Sequence, residues 1–194
     1  MSVNRQLNLR FTAVMMGFVG VVLLTYRADV LGALLAPLAT LTARTTLALL
    51  HSSGMEVVRV ATLIYHPDGF AYDITYRCTG FLPVAFLTVS ILAYPEPLRH
   101  KLVGLAVGVP VLVALNLTRL VHLFYIGVYH PATFDFAHAV LWEGFLILAV
   151  FGLWLGWTRW SDSHSRIGGY PSVTRCRRPS GWLSKRWTRH LDTM

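Results

Sequence analysis

The hydrophobic positions of the chain gather into four apolar runs separated by polar breaks. A helix needs about 20 predominantly apolar residues, roughly 17–25, to cross a bilayer. The run at 9–26 (LRFTAVMMGFVGVVLLTY) meets that length, with Arg5 and Arg10 near its start. The sequence that follows, RADVLG, offers no small-x-small cleavage site, so the run is expected to stay as an uncleaved anchor rather than leave as a signal peptide. A second run at 80–94 is short and a third at 102–127 is long. The fourth, at 139–157, leads into Trp154, Trp157 and Trp160, spaced as an aromatic belt at a membrane–water boundary. The breaks are PEPLRHK at 95–101, read as a tight polar turn, and YHPATFDFAH at 129–138, read as a short loop.

Between the first two runs the pattern changes twice. Residues 29–51 (DVLGALLAPLATLTARTTLALLH) are semi-apolar but carry Pro37, Arg44 and several threonines. They predict a helix, or a pair of helices, lying at the interface or re-entering it. Residues 55–78 then shift to a period of two, with Val, Ile, Thr and Tyr on either side of HPDG. That predicts a β-hairpin with its turn at 67–69. A polar-faced hairpin with open edges cannot sit in lipid, so it belongs in water just ahead of Cys78. The fold class expected is an all-α polytopic membrane protein: about four transmembrane helices, an interfacial helical segment, and a small extracytoplasmic β-hairpin before the second span. Residues 1–157 form the membrane domain, and 158–194 form a basic tail expected to be disordered.

Composition supports this reading. The chain of 194 residues is 55% hydrophobic and 13% charged, against about 25% charged in soluble chains. Mean hydropathy is +0.54. The net charge of +8 is concentrated in the tail, which argues against a nucleic-acid partner. With the N-terminus inside, twelve Lys and Arg residues flank the inner side and four (Arg27, Arg44, Arg59, Arg77) the outer. This asymmetry places both termini in the cytoplasm and the hairpin, Cys78 and loop 129–138 outside, in an inner (plasma) membrane. The tail then faces anionic membrane lipids. The two cysteines, Cys78 and Cys176, fall on opposite sides and cannot pair. No CxxC, HExxH, GxGxxG or P-loop is present, so no metal and no cofactor is expected.

The informative polar residues are those inside apolar runs. Arg119, in VALNLTRLVHLFYIG, costs about 2.5–3.5 kcal/mol at a helix centre on insertion scales. Snorkelling toward the outer headgroups is one answer. Asn116 and His122, three residues to either side, instead make a polar stripe that faces a bundle interior. Glu143, in the fourth run, is a candidate partner. Cys78 stands at the outer start of the second span, where free helix N–H groups and the dipole favour anions; it is equally placed to be an inert apolar filler. Among the outer histidines, His138 opens the fourth span level with Cys78, whereas His66 at a turn tip and His130 in a loop are expected to be solvated. A thiolate, an imidazole and a guanidinium together suit attack on an amide carbonyl, proton transfer and oxyanion stabilisation. A non-catalytic assembly or scaffold protein with a buried Arg119–Glu143 pair is the competing reading. A third is that the chain is itself a substrate, since a last span followed by basic residues imitates a sorting tail.

Cys78 in RCTGF, Arg119 in NLTRL and His138 in AHAVLWEG, in that order and at those places on the spans, resemble the exosortase/archaeosortase family over about residues 55–157. With about four spans, the chain is similar to its compact forms. The resemblance implies a membrane cysteine protease–transpeptidase, a thiol-dependent hydrolase of the cell envelope. Its partners would be secreted proteins bearing a C-terminal sorting signal: a short motif such as Pro-Glu-Pro, a transmembrane helix and a basic tail. Cleavage would run through a thioester, with the acceptor nucleophile unassigned. It further implies Cys78, Arg119 and His138 as catalytic. Gly80, Asn116 and His122, close to these in the sequence, are taken as substrate-binding candidates. The chain's own YPEP at 94–97 lies on the inner side and is read as a turn, not a sorting motif.

Overall fold

A computed structural model describes residues 3–27 and 30–167, with side chains placed for 9–24 and 31–164. Helices α1 (Val3–Arg27) and α2 (Val30–Ser52) lead into strands β1 (Val58–Val60), β2 (Leu63–Tyr65) and β3 (Ala71–Asp73). A 3-10 turn (Tyr76–Thr79) then enters α3 (Phe81–Ala93), and α4 (Leu98–Tyr129) returns. A second 3-10 turn (Pro131–Thr133), the one-turn helix α5 (Phe134–Phe136) and a π-helical segment (Ala137–Trp142) lead into α6 (Glu143–Ile167).

Three helical stretches, Leu31–Ser52, Leu98–Tyr129 and Pro131–His164, are long and apolar enough to cross a membrane, and Leu9–Leu24 and Phe81–Ala93 are shorter apolar helices. At 1.5 Å per residue the 32 residues of α4 reach about 48 Å, well beyond the ~30 Å hydrocarbon core. Large apolar side chains stay exposed on α4 (Leu102, Val103, Val107) and α6 (Ile147, Leu148, Phe151). On a soluble protein such a band would be an aggregation surface; on this one it faces lipid.

The expectations for the stretch before Cys78 change in three ways. Residues 30–52 form one continuous helix despite Pro37, the single-helix form of the expected segment, which by length and composition could also span. Its buried side chains, Leu35, Ala39, Thr42, Ala43, Thr46 and Leu50, recur every three or four positions and make one stripe. Ala43 and Leu50 belong to the core cluster that holds Cys78, Leu120 and Phe124. The hairpin is a three-stranded antiparallel sheet, ordered β1-β2-β3. The turn at 67–69 joins β2 to β3 as expected, with Gly69 at φ 93°. A second reversal, between β1 and β2, contains Ala61 at φ 55°, a left-handed conformation that a Cβ disfavours, and the pattern therefore did not flag it. Ile64 and Tyr72 are cross-strand partners, and both are buried against the helices. His66 is not solvated: its side chain is 12% exposed and its ring meets Phe124 at 6.5 Å.

The ends of the bundle differ. At the end away from Cys78, residues 94–97 are a turn, and Phe11 of α1 meets both Tyr94 (6.4 Å) and Trp154 (6.1 Å). Trp157 Nε1 donates to the His100 carbonyl at 2.8 Å, and Gly104 leaves the room that the indole fills. α6 continues past residue 157 to Ile167, so the start of the expected tail is helical; its remainder, with Cys176, lies outside the described residues.

At the Cys78 end, Phe70 packs on Phe124 (5.4 Å) and Phe134 (5.7 Å) and lies against Gly127, where a Cβ would overlap its ring. Gly127→Ala is therefore expected to lower the thermal unfolding midpoint in detergent, by the equivalent of about 1–3 kcal/mol for overpacking; an unchanged midpoint would contradict this packing.

Candidate active site

Cys78 does not cap a helix. It sits on the 3-10 turn just ahead of α3, whose N-cap is Gly80. Its N–H donates to Thr75 O at 2.9 Å, which leaves the carbonyl pointing elsewhere. Asn116 meets that carbonyl: its Nδ2 donates to Cys78 O at 2.9 Å across 38 residues of sequence. This clasp depends on Gly80. Its φ of 71° is left-handed, and a Cβ there would come within 2.8 Å of Asn116 Cγ. Gly80 thus supports Asn116 rather than presenting a side chain of its own.

Cys78 is buried, 7% exposed, within the core cluster that also holds Tyr72, Leu120 and Phe124. Tyr72 Oη and Thr75 Oγ1 both lie 3.7 Å from its sulfur. Burial, with Cys78 alongside, pushes the Tyr72 hydroxyl well above the ordinary tyrosine range, so it remains a protonated donor. Tyr72 escaped notice in the sequence because it was one aromatic in a strand. The period-two alternation that buries Tyr72 and Ile74 while exposing Asp73 was the available signal.

Arg119 lies one turn beyond Asn116 on α4 and is 3% exposed. Its NH2 group donates to Glu143 Oε1 at 2.9 Å, so the candidate pair exists. Glu143 is half exposed at 52%, which makes the pair open on one side rather than sealed. His138 comes from the π-helical segment Ala137–Trp142, and Glu143 follows directly on that segment as the first residue of α6. Both Arg119 and Glu143 lie within electrostatic range of His138 and of Tyr72. The His138 ring stacks on Phe134 (5.8 Å, 6° between planes), and Phe134 meets Tyr72 edge-on at 5.9 Å.

The fold therefore joins Cys78 to Arg119 through Asn116, and Cys78 to His138 through Tyr72 and Phe134. Among the described residues the sulfur makes no hydrogen bond to Arg119 or His138. His122 stands apart. It is exposed, and its Nδ1 accepts from Trp142 Nε1 at 3.0 Å, bracing α4 against the π-helical segment. The described residues hold no group of three or more metal-ligating side chains.

The transmembrane exosortase family model (Exosortase_EpsH) matches residues 5–157, about four-fifths of the chain. The chain belongs to the transmembrane exosortase family. No curated protein and no solved structure matches it. As an exosortase it is a multi-pass membrane protein of a transpeptidase family, with a role in processing sorting signals and with substrates that carry such a signal.

The Asn116 clasp can be measured. Gly80→Ala and Asn116→Leu should each lower the unfolding midpoint, by the equivalent of about 1–3 kcal/mol for a buried carbonyl left unpaired or a displaced partner. Because both disturb one contact, the double variant should fall short of their sum. Full additivity would show that the two residues do not act on each other.

Proposed function

We propose that this exosortase is a cysteine protease–transpeptidase whose reacting residues are Cys78, Arg119 and His138, working at the extracytoplasmic face of the plasma membrane. The observation that carries the reading is the gathering of a thiol, a guanidinium with its carboxylate, an imidazole and a protonated phenol at one end of the bundle. In the proposed cycle the Cys78 thiolate attacks the scissile amide carbonyl of a C-terminal sorting signal. Arg119 and the Tyr72 hydroxyl stabilise the negative charge that develops there. His138 gives a proton to the leaving amine, so the C–N bond breaks and a thioester remains. An acceptor nucleophile then loses its proton to His138 and attacks the thioester carbonyl, and the C–S bond breaks to release the Cys78 thiolate and restore the starting state. Asn116 fixes the backbone of the cysteine throughout.

The distribution of Lys and Arg supports cytoplasmic termini, with residues 1–157 as the membrane domain and 158–194 as a cytoplasmic tail held near anionic lipid. The Arg119–Glu143 contact also favours a second reading, in which the pair only holds α4 to α6 in a non-catalytic scaffold.

Expression of Cys78→Ala in cells that secrete proteins with sorting signals should leave a folded protein and abolish processing, whereas for a non-catalytic scaffold the substitution would be silent. Arg119→Lys should also fail, because lysine keeps the charge but loses the planar fork that serves Glu143 and a second acceptor together. Undiminished processing by the lysine variant would remove Arg119 from the mechanism. Modification of Cys78 by a membrane-impermeant thiol reagent only from the cytoplasmic side would reverse the orientation.

A further inference from the structure

The threonines of α2 behave in two ways. Thr40, Thr42 and Thr45 each turn the hydroxyl back onto the carbonyl four residues earlier, at 3.1, 2.8 and 3.0 Å, as threonine in a helix commonly does. Thr46 does not. It is fully buried, and its Oγ1 has no hydrogen-bond partner among the described residues. It lies on the stripe of α2 between Ala43 and Leu50, the two side chains that pack in one cluster with Cys78 and Leu120. On α4, next to Leu120, two more buried polar atoms have no partner: Asn116 Oδ1 and Arg119 Nε. Both residues are more than nine-tenths buried. The remaining such atom among the described residues, Trp154 Nε1, belongs to the opposite end of the bundle.

Buried polar groups are almost always paired, and exceptions cluster where a ligand or a reaction completes them. The three atoms here have complementary chemistry. A carboxamide oxygen only accepts, a guanidinium Nε–H only donates, and a hydroxyl does either. One residue of an extended strand presents an N–H donor and a C=O acceptor along the same edge, and recognition through that edge reads backbone rather than side chain. We propose that the C-terminal half of α2, the Cys78 turn and α4 form a binding site for the backbone of an extended peptide. Its N–H pairs with Asn116 Oδ1, its carbonyl pairs with Arg119 Nε, and Thr46 Oγ1 holds the adjoining peptide group. This goes beyond the proposed chemistry, on which it rests only in taking Cys78 as the reacting residue. Entry requires α2 to draw back from α4 at the level of Thr46. Pro37 leaves α2 one backbone hydrogen bond short nine residues earlier, and the proposal puts the hinge for this movement there.

The test uses the full chain in detergent on a Cys176→Ser background, so that Cys78 is its one thiol. Two alkylating probes are compared by intact mass: acetyl-Ala-Ala-chloromethyl ketone, from which the Cys78 sulfur displaces chloride, and chloroacetamide, which offers the same displacement without a peptide chain. The ketone's rate should saturate with concentration, and Thr46→Val should raise the half-saturating concentration about three- to tenfold, the worth of one hydrogen bond. Thr46→Ser should match the parent protein, and chloroacetamide should label all three at one rate. A valine variant indistinguishable from the parent, or a ketone rate that stays linear, overturns the site. Neither result bears on whether Cys78 cleaves sorting signals in cells, which the Cys78→Ala experiment decides separately.

Discussion

The architecture at the Cys78 end is governed by one buried charge. Arg119 sits in a helix whose neighbours are Leu, Val and Phe, and a guanidinium in that setting must find a carboxylate or leave the bilayer. Glu143 answers it from the first turn of α6. The π-helical segment that leads into α6 carries His138 five residues before that carboxylate, so the imidazole and the ion pair belong to one stretch of chain. Asn116, one helical turn earlier, extends the polar stripe to the Cys78 backbone.

The other end of the bundle meets a different requirement. There, Trp154 Nε1 excepted, the polar groups are closed on one another: Trp157 on the His100 carbonyl, and His100 Nδ1 between Ser161 Oγ (2.9 Å) and Glu96 Oε2 (3.2 Å). Glycine at 104 lets α4 and α6 approach closely enough for these contacts. Paired groups of this kind tie helices together and leave little for a substrate to use. The Cys78 end instead keeps Asn116 Oδ1, Arg119 Nε and Thr46 Oγ1 unpaired and leaves Glu143 half open. The contrast separates an end whose polar groups are mostly paired from one that keeps several open within a single helical bundle.

Much of this was legible in the residue pattern because the forces involved are local. A run of some 20 apolar residues has few options other than a membrane helix, and Pro-Asp-Gly between alternating strands has few other than a turn. A charged residue inside such a run announces a partner, and Glu143 could be named before any fold was known. What escaped the pattern was non-local or locally ambiguous. The β1–β2 reversal turns on an alanine held in a left-handed conformation, the continuity of α2 runs through a proline, and Tyr72 has a role only because β3 packs beside the Cys78 turn.

The sequence by itself determined that the chain is a multi-span membrane protein, roughly where its helices run, and which polar residues are too costly to bury without purpose. Hydrophobic transfer and charge desolvation are properties of single residues and short windows, so they can be read in one dimension. Only the tertiary structure decided which polar groups meet: Asn116 with the Cys78 carbonyl, Tyr72 with its sulfur, Glu143 with Arg119, Trp142 with His122. Those pairings depend on the depth and rotation of four separate helices and a small sheet. Each is set by side chains packing across contacts that join residues far apart in the chain, and no window of sequence contains both partners.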